Sequence, residues 1–285
     1  MSEAVDPDTL RAEMLDRWEL AASGWGKRAE DVRDHGMPVS LWLIEHLALQ
    51  PGQRVLELAA GPGDTGFLAA ELIMPGGTLI SSDGADAMLE LARNRAEKLG
   101  IHNVEFKSLQ LEWIDLQTAS VDAVLCRWGL MLSVDPAAAA REMRRVLRPG
   151  GRVAVAVWAD AAENPWATIP TGALLELGLM EPPDPTQPGM FALARPEALS
   201  DLLGAAGFVD VVVEPVPVHR QYSDVDAFIA ETSDLSGMFI RALADASDEQ
   251  RAAVRAAIAE RAKAFVSGEG TISLPGKSLV AAANA

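Results

Sequence analysis

The chain has 285 residues, and its 24 basic against 41 acidic side chains give a net charge of −17. That balance repels phosphate backbones and excludes a nucleic acid as the expected partner, while 49% hydrophobic and 23% charged residues are globular rather than disordered composition. One cysteine, Cys126, excludes an internal disulfide and a thiolate metal cluster, and His35, His46, His102 and His219 show no ligand spacing, so no metal is expected.

The opening MSEAVDPDTL is acidic and polar, unlike a secretory leader. Asp6-Pro7 reads as a helix cap followed by proline at the first helical position, and Leu10, Met14, Trp18 and Ala21 follow at helical spacing. Gly24 and Gly26 are expected to interrupt, with a second helix over 38–49 ended by Pro51-Gly52. From Gln53 short apolar strands alternate with helices. Strands are expected at 55–58, 78–82, 104–107, 121–126 and 153–158, with helices at 64–73, 85–99 and from the Asp135-Pro136 cap to 147. The longest clean apolar run, 153–159, is far short of the ~20 residues of a membrane helix, so the chain reads as soluble and cytoplasmic. Six prolines, at 165, 170, 182, 183, 185 and 188, make 160–195 read as a long irregular insertion. A helix over 196–206, a strand over 209–214, helices within 224–266 and a last strand over 278–282 complete the chain.

Strand–helix alternation predicts an α/β, Rossmann-like, doubly wound fold: a mostly parallel seven-stranded sheet with helices on both faces and a helical lid. We read one domain over 1–285. Residues 1–50 form an N-terminal helical lid, 51–158 a cofactor-binding core, and 159–195 and 222–270 the substrate-side insertions.

The sharpest signal is Glu57-Leu-Ala-Ala-Gly61-Pro-Gly63-Asp-Thr-Gly66, which follows a strand and opens a helix. Glycines there admit a ligand close to the backbone, and the helix N-terminus offers free N–H groups. Asp83, about twenty residues on and at the end of the second strand, can hold both hydroxyls of a ribose. Gly61-x-Gly63-x-x-Gly66 matches the dinucleotide fingerprint, but Glu57 and Asp64 would face the pyrophosphate of NAD. Two like charges ~4 Å apart cost on the order of 4 kcal/mol even at an effective dielectric near 20. A cationic sulfonium ligand with one ribose and no phosphate, S-adenosylmethionine, fits better.

With those residues in view the chain resembles a class I S-adenosylmethionine-dependent methyltransferase. It is most similar to the small-molecule branch that includes the quinone-ring methyltransferases. The resemblance runs from about Pro51 to Trp158 and rests on VLELAAGPGDTG, LISSDGADAML, VEF…ASVDAVLCRWG and REMRRVLRPGGRVAVAVW. It implies that Glu57 binds the methionine amino group, directly or through water. It further implies that Ala59, Gly61 and Gly63 bring backbone near the methionine and ribose, and that Asp83 binds the ribose. Met88, or the neighbouring Gly84 backbone, would lie against the adenine, with Gln110, Leu111 and Glu112 at its edge. Arg127 would reach the methionine end through its backbone, and Trp25 would cover the cofactor. S-adenosylhomocysteine would be the product. Two residues depart from the family pattern. Ala59 stands where glycine is common, which is tolerable at negative φ, and Gln110 stands where Asp is usual.

Seven tryptophans accompany one tyrosine, Tyr222. Trp128 and Trp158 end two strands at the ligand-binding edge and, with His219 after the sixth strand, are the expected acceptor-site residues. His35, Arg220 and Tyr222 are the other polar groups of interest. The expected reaction is in-line methyl transfer to an O, N or C nucleophile of a small, possibly aromatic or apolar, molecule. No catalytic residue is assigned, because an activated carbon or phenolate needs little base. The alternatives are a module that binds the cofactor without methyl transfer and an NAD-dependent oxidoreductase. The oligomeric state is not read from the sequence.

Overall fold

The buried apolar runs around Val55, Leu79, Val124 and Val155 carry no exposed residues to place in water, so they assemble as the centre of one sheet. The computed structural model describes residues 6–184 and 187–285; residues 1–5 of the expected lid and Pro185 of the expected insertion lie outside the described residues. The strands are β1 (Arg54–Glu57), β2 (Thr78–Asp83), β3 (Val104–Ser108), β4 (Val121–Arg127), β5 (Leu147–Trp158), β6 (Val209–Tyr222) and β7 (Ile272–Asn284). They lie in the order β3-β2-β1-β4-β5-β7-β6. β1 to β5 pair in parallel, and β7 runs antiparallel between β5 and β6.

The helices are α1 (Pro7–Lys27), α2 (Ala29–Leu47), α3 (Asp64–Leu72), α4 (Asp86–Leu99), α5 (Pro136–Val146), α6 (Pro165–Glu176), α7 (Pro196–Ala205), α8 (Val225–Leu235), α9 (Gly237–Ala242) and α10 (Asp248–Ala262). None among the described residues is long and apolar enough to cross a membrane.

Four local expectations are corrected. First, α1 runs unbroken through Gly24 and Gly26. Gly24 is a close-approach residue, since a Cβ there would fall 1.8 Å from the Asp234 carbonyl oxygen. Second, α2 starts well before Pro38, which lies inside it. Its buried stripe of Val32, Val39, Leu43, Ile44 and Leu47 outweighs the roughly 3 kcal/mol that an internal proline costs. Third, the proline-rich insertion contains α6, with Pro165 at its first turn and Ile169, Ala173 and Leu174 buried. Fourth, β6 extends to Tyr222 rather than ending near 214. Pro215 and Pro217 are compatible with it because β6 is the edge strand.

That extension positions the site. Trp158 at the end of β5 pairs with Ser278, which pairs with Val216. The β6–β7 ribbon therefore overhangs the sheet from Val218 to Tyr222. A second apolar core forms on the overhang, from Ile169 and Leu174 of α6, Phe228 of α8, Phe239 of α9, Val254 and Ile258 of α10, and Tyr222, Ile272 and Leu274 of the ribbon. It is a cluster distinct from the core around the central strands.

Candidate active site

The tip of β1 sets the first half of the site. Ala59, Gly61 and Gly63 all have positive φ, at 51°, 52° and 86°, and the last is the N-cap of α3. A Cβ on Gly61 would meet nothing within 4 Å, so the loop presents an open cradle. Asp83 fixes its shape. One carboxylate oxygen accepts from the Gly61 N–H at 2.8 Å and the other from the Ala85 N–H at 3.0 Å. Burial pushes the Asp83 pKa up, and the backbone N–H groups of Ala85 and Gly61 oppose that rise.

Glu57 lies behind the cradle. Its carboxylate accepts from the Gly66 N–H at 2.7 Å and the Ser81 hydroxyl at 3.2 Å. Gly66 must lack a side chain, because a Cβ there would fall 2.0 Å from the Glu57 carboxylate. Complete burial pushes the Glu57 pKa to about 8, against the pull of the Gly66 N–H and the Arg127 charge. Asp64 is held by Arg95 at 2.6 Å and by Arg127 at 3.4 Å. Asp64 is therefore not the free anion expected to face a pyrophosphate. Its charge is neutralised, and the Glu57 carboxyl holds its proton to about 8, so charge at this loop does not by itself exclude a dinucleotide.

The expectation for Ala59 is also corrected, since its φ is positive and its methyl group is strained there. The methyl lies against Gly129, where an added Cβ would come within 2.4 Å of it. The missing glycine at 59 is thus matched by a glycine across the loop.

The remaining cofactor candidates divide. Met88 is buried in a cluster with Ala22 and Ala85, and Trp18, Trp25 and Leu91 pack against it. Trp25 meets Trp18 edge to face at 5.6 Å and donates to the Leu235 carbonyl at 3.1 Å, tying α1 to α8. A Cβ on Gly84 would lie 2.9 Å from Leu15 of α1 and 3.8 Å from the Gln110 amide nitrogen, so α1 covers this end of the loop. Gln110 is exposed and Leu111 half-buried. Glu112 turns elsewhere, accepting from the Ser133 hydroxyl and the Val134 and Asp135 N–H groups at 2.8 to 3.2 Å. Its side chain anchors the turn after β4.

Arg127 points its buried side chain at Ser40 and Asp64 and lies 4.8 Å from the Trp128 ring. Trp128 itself has φ 62°, an uncommon conformation for a bulky residue and one that clusters at functional sites. It stacks on Trp158 at 4.2 Å and donates to the Ser278 hydroxyl at 3.0 Å. Trp166 joins them, 4.7 Å from Trp158, its indole N–H donating to Asn164.

His219 is not brought to this wall. The longer β6 places it mid-strand on the exposed face, 2.6 Å from the Ser273 hydroxyl. Alternation turns Val216, Val218, Arg220 and Tyr222 inward. Arg220 and Tyr222 both donate to one Glu231 carboxylate oxygen at 2.8 Å, and the Arg220 guanidinium lies 3.8 Å from the Trp166 ring. The extended strand was the signal for Arg220 over His219, and Pro215 and Pro217 hid it. Glu231 carried no sequence signal, since it is one of many acidic residues on an amphipathic helix.

Comparison with known proteins now bears on this geometry. Residues 49–174 match the profile of a methyltransferase-domain family. The chain is 30% identical over 181 residues to the arsenite methyltransferase of Halobacterium salinarum, covering 63% of this chain and 44% of that one. It is 32% identical over 127 residues to the ubiquinone/menaquinone biosynthesis C-methyltransferase UbiE of Pasteurella multocida, covering 44% and 47%. The chain thus spans about half the length of these curated relatives. The YcgJ protein from Bacillus subtilis, a solved structure, superposes with a TM-score of 0.58 at 21% identity, over 86% of this chain and 97% of that one. Profile and relatives agree that residues 49–174 are similar to a methyltransferase domain, and the likeness to YcgJ extends that fold over most of the chain.

Proposed function

We propose, from a core that is similar to a methyltransferase domain, that the whole chain transfers a methyl group from S-adenosylmethionine to a small-molecule acceptor. The observation that carries the proposal is the Asp83–Gly61 clamp, which holds the loop open as a cradle at the carboxyl edge of the parallel sheet. When bound, the cofactor supplies an electrophilic methyl group on a sulfonium.

This chain's residues would hold it in the following way. Asp83 takes the ribose hydroxyls on its free lone pairs. The backbone of Ala59, Gly61 and Gly63 follows the methionine. Glu57 holds the loop by accepting from Ser81 and Gly66, and its carboxyl lies behind the amino group. Gly84 and Met88 flank the adenine under Trp25, with Gln110 and Leu111 at its edge. Glu112 contributes through its backbone, because its side chain is already engaged. Arg127 reaches the methionine end by its carbonyl while its side chain neutralises Asp64. Trp128 and Trp158 line the acceptor side, where they exclude water and orient an apolar acceptor.

Thermal unfolding with S-adenosylhomocysteine, and separately with NADH, tests this. A ligand at ~100 times its dissociation constant stabilises by ~2.7 kcal/mol, a midpoint rise of very roughly 5–10 °C for a chain of this size. We expect that rise with S-adenosylhomocysteine and its loss in Asp83→Ala. A rise with NADH alone overturns the proposal. Binding without consumption of S-adenosylmethionine across an acceptor panel would leave a cofactor-binding module.

A further inference from the structure

The two edges of the sheet are built differently. Along β6, Pro215 and Pro217 remove two backbone donors, and the ladder shifts register between Val209 and Val212. Prolines and irregularities of this kind blunt an edge against pairing with another chain. β3, the opposite edge, has neither. Its five residues, Val104–Ser108, run in unbroken parallel register beside β2.

The ladder fixes where the free backbone groups of β3 point. The Leu79 N–H donates to the Asn103 carbonyl, and the Leu109 N–H donates to the Asp83 carbonyl. Along a strand, residues alternate between bonding toward one neighbour and facing away from it. Asn103, Glu105, Lys107 and Leu109 therefore bond toward β2, whereas Val104, Phe106 and Ser108 direct their N–H and C=O groups outward. The side chains alternate as well. Val104 and Phe106 pack on the main core, with the Arg93 guanidinium 5.6 Å from the Phe106 ring. Glu105 and Lys107 lie on the other face. Among the described residues Lys107 has no ion-pair partner, and Glu105 has only Arg54, at 3.4 Å.

We infer that β3 pairs antiparallel with β3 of a second copy of this chain, about a two-fold axis at Phe106, and so joins the two sheets edge to edge. Charge selects this register. Antiparallel pairing sets outward-facing residues opposite one another, so the axis passes through residue 105, 106 or 107. An axis at Glu105 opposes that carboxylate to itself, and an axis at Lys107 opposes that ammonium to itself. The axis at Phe106 sets Glu105 of each copy across from Lys107 of the other. These are non-hydrogen-bonded positions, where facing side chains come closest. Opposite charges there stabilise and like charges destabilise. In the same register Phe106 exchanges both backbone hydrogen bonds with its counterpart, and Val104 does so with Ser108. A lone edge lysine protects a strand from pairing; here the partner strand answers it. Exposed apolar side chains flank the strand at both ends. Leu99 precedes it at 56% exposure, and Trp113 follows it at 76%, on a turn closed by its N–H to the Gln110 carbonyl. Antiparallel pairing brings the Trp113 end of one copy to the Leu99 end of the other. The two-fold axis uses up the free edge of both copies, so association stops at two chains.

Sedimentation equilibrium of the full chain across the micromolar range tests the assignment. Each copy carries a charge of −17, so the salt is held at about 0.15 M, where repulsion is screened beyond about 8 Å. We expect a concentration-dependent dimer. Lys107→Glu and Glu105→Lys should each weaken it about tenfold or more, because either makes both cross-strand pairs like-charged. Mixing the two variants should restore a dimer, since each supplies the charges that the other lacks. Thermal unfolding of each variant checks that the fold is kept, and recovery on mixing cannot come from unfolded chain. A native chain that stays monomeric overturns the assignment. So does a dimer that neither variant weakens, or a mixture that fails to recover.

Discussion

Around the glycine loop polar atoms are matched inside the protein. Asp83 holds Gly61 and Ala85, Glu57 holds Gly66 and Ser81, and Asp64 holds Arg95 and Arg127. Among the described residues two buried nitrogens, His35 Nδ1 on α2 and Arg220 Nε on the β6 overhang, have no hydrogen-bond partner. The first region is preorganised by hydrogen bonds within the protein. The second pair keeps unmet hydrogen-bonding capacity. Their construction differs too. The loop rides on the central strands and the main core, whereas α6, α8, α9, α10 and the ribbon pack around an apolar cluster of their own.

Four measurements would break or sharpen that contrast. The largest effect is expected from Arg95→Met. It leaves buried Asp64 with only the longer contact to Arg127, and breaking a buried pair costs about 3–5 kcal/mol. Chemical denaturation should show this loss in the global transition. Phe228→Ala opens a cavity in the second apolar core and costs about 3–5 kcal/mol there. Hydrogen exchange should accelerate in α6, α8 and α10 while amides of β1 and β4 keep their protection. Uniform acceleration would mean that the two cores unfold as one.

The third effect concerns pH. The Glu57 carboxyl holds its proton up to about 8 in the folded chain, against 4.5 ordinarily. The stability this proton confers is full below 4.5 and is lost as pH rises to about 8, because only the folded state still binds it in that window. A stability loss of a few kcal/mol across the window is expected for the native chain. Glu57→Gln should flatten the curve, and parallel curves would assign the slope elsewhere. The smallest effect is Ala59→Gly, which relieves the positive φ and should stabilise by about 1 kcal/mol. A loss of stability would show that the Ala59 methyl packed on Gly129 outweighs its backbone strain.

Much of the cofactor half is legible in the sequence, because its determinants are local. A strand, a glycine turn, a helix start and a carboxylate at the next strand end lie within 27 consecutive residues, Glu57 to Asp83. Apolar periodicity and Pro-Gly turns likewise give the order of strands and helices and the parallel sheet. Trp128 and Trp158 were legible as strand ends, and parallel pairing of β4 with β5 brings them together.

Tertiary structure alone decided the rest. Whether Gly24 breaks a helix, or lets it pass close to α8, depends on Asp234, more than two hundred residues away, and Gly26 faces Leu91 of α4. Whether Ala59 could stand in for glycine depended on the sign of one dihedral angle and on Gly129 opposite. The choice of Arg220 over His219 turned on how far an edge strand continued through two prolines, since one residue along a strand reverses the face. Local sequence fixes which backbone conformations are cheap. Which side chains meet, and which buried atoms are left without a partner, is settled only when elements distant in sequence pack against one another.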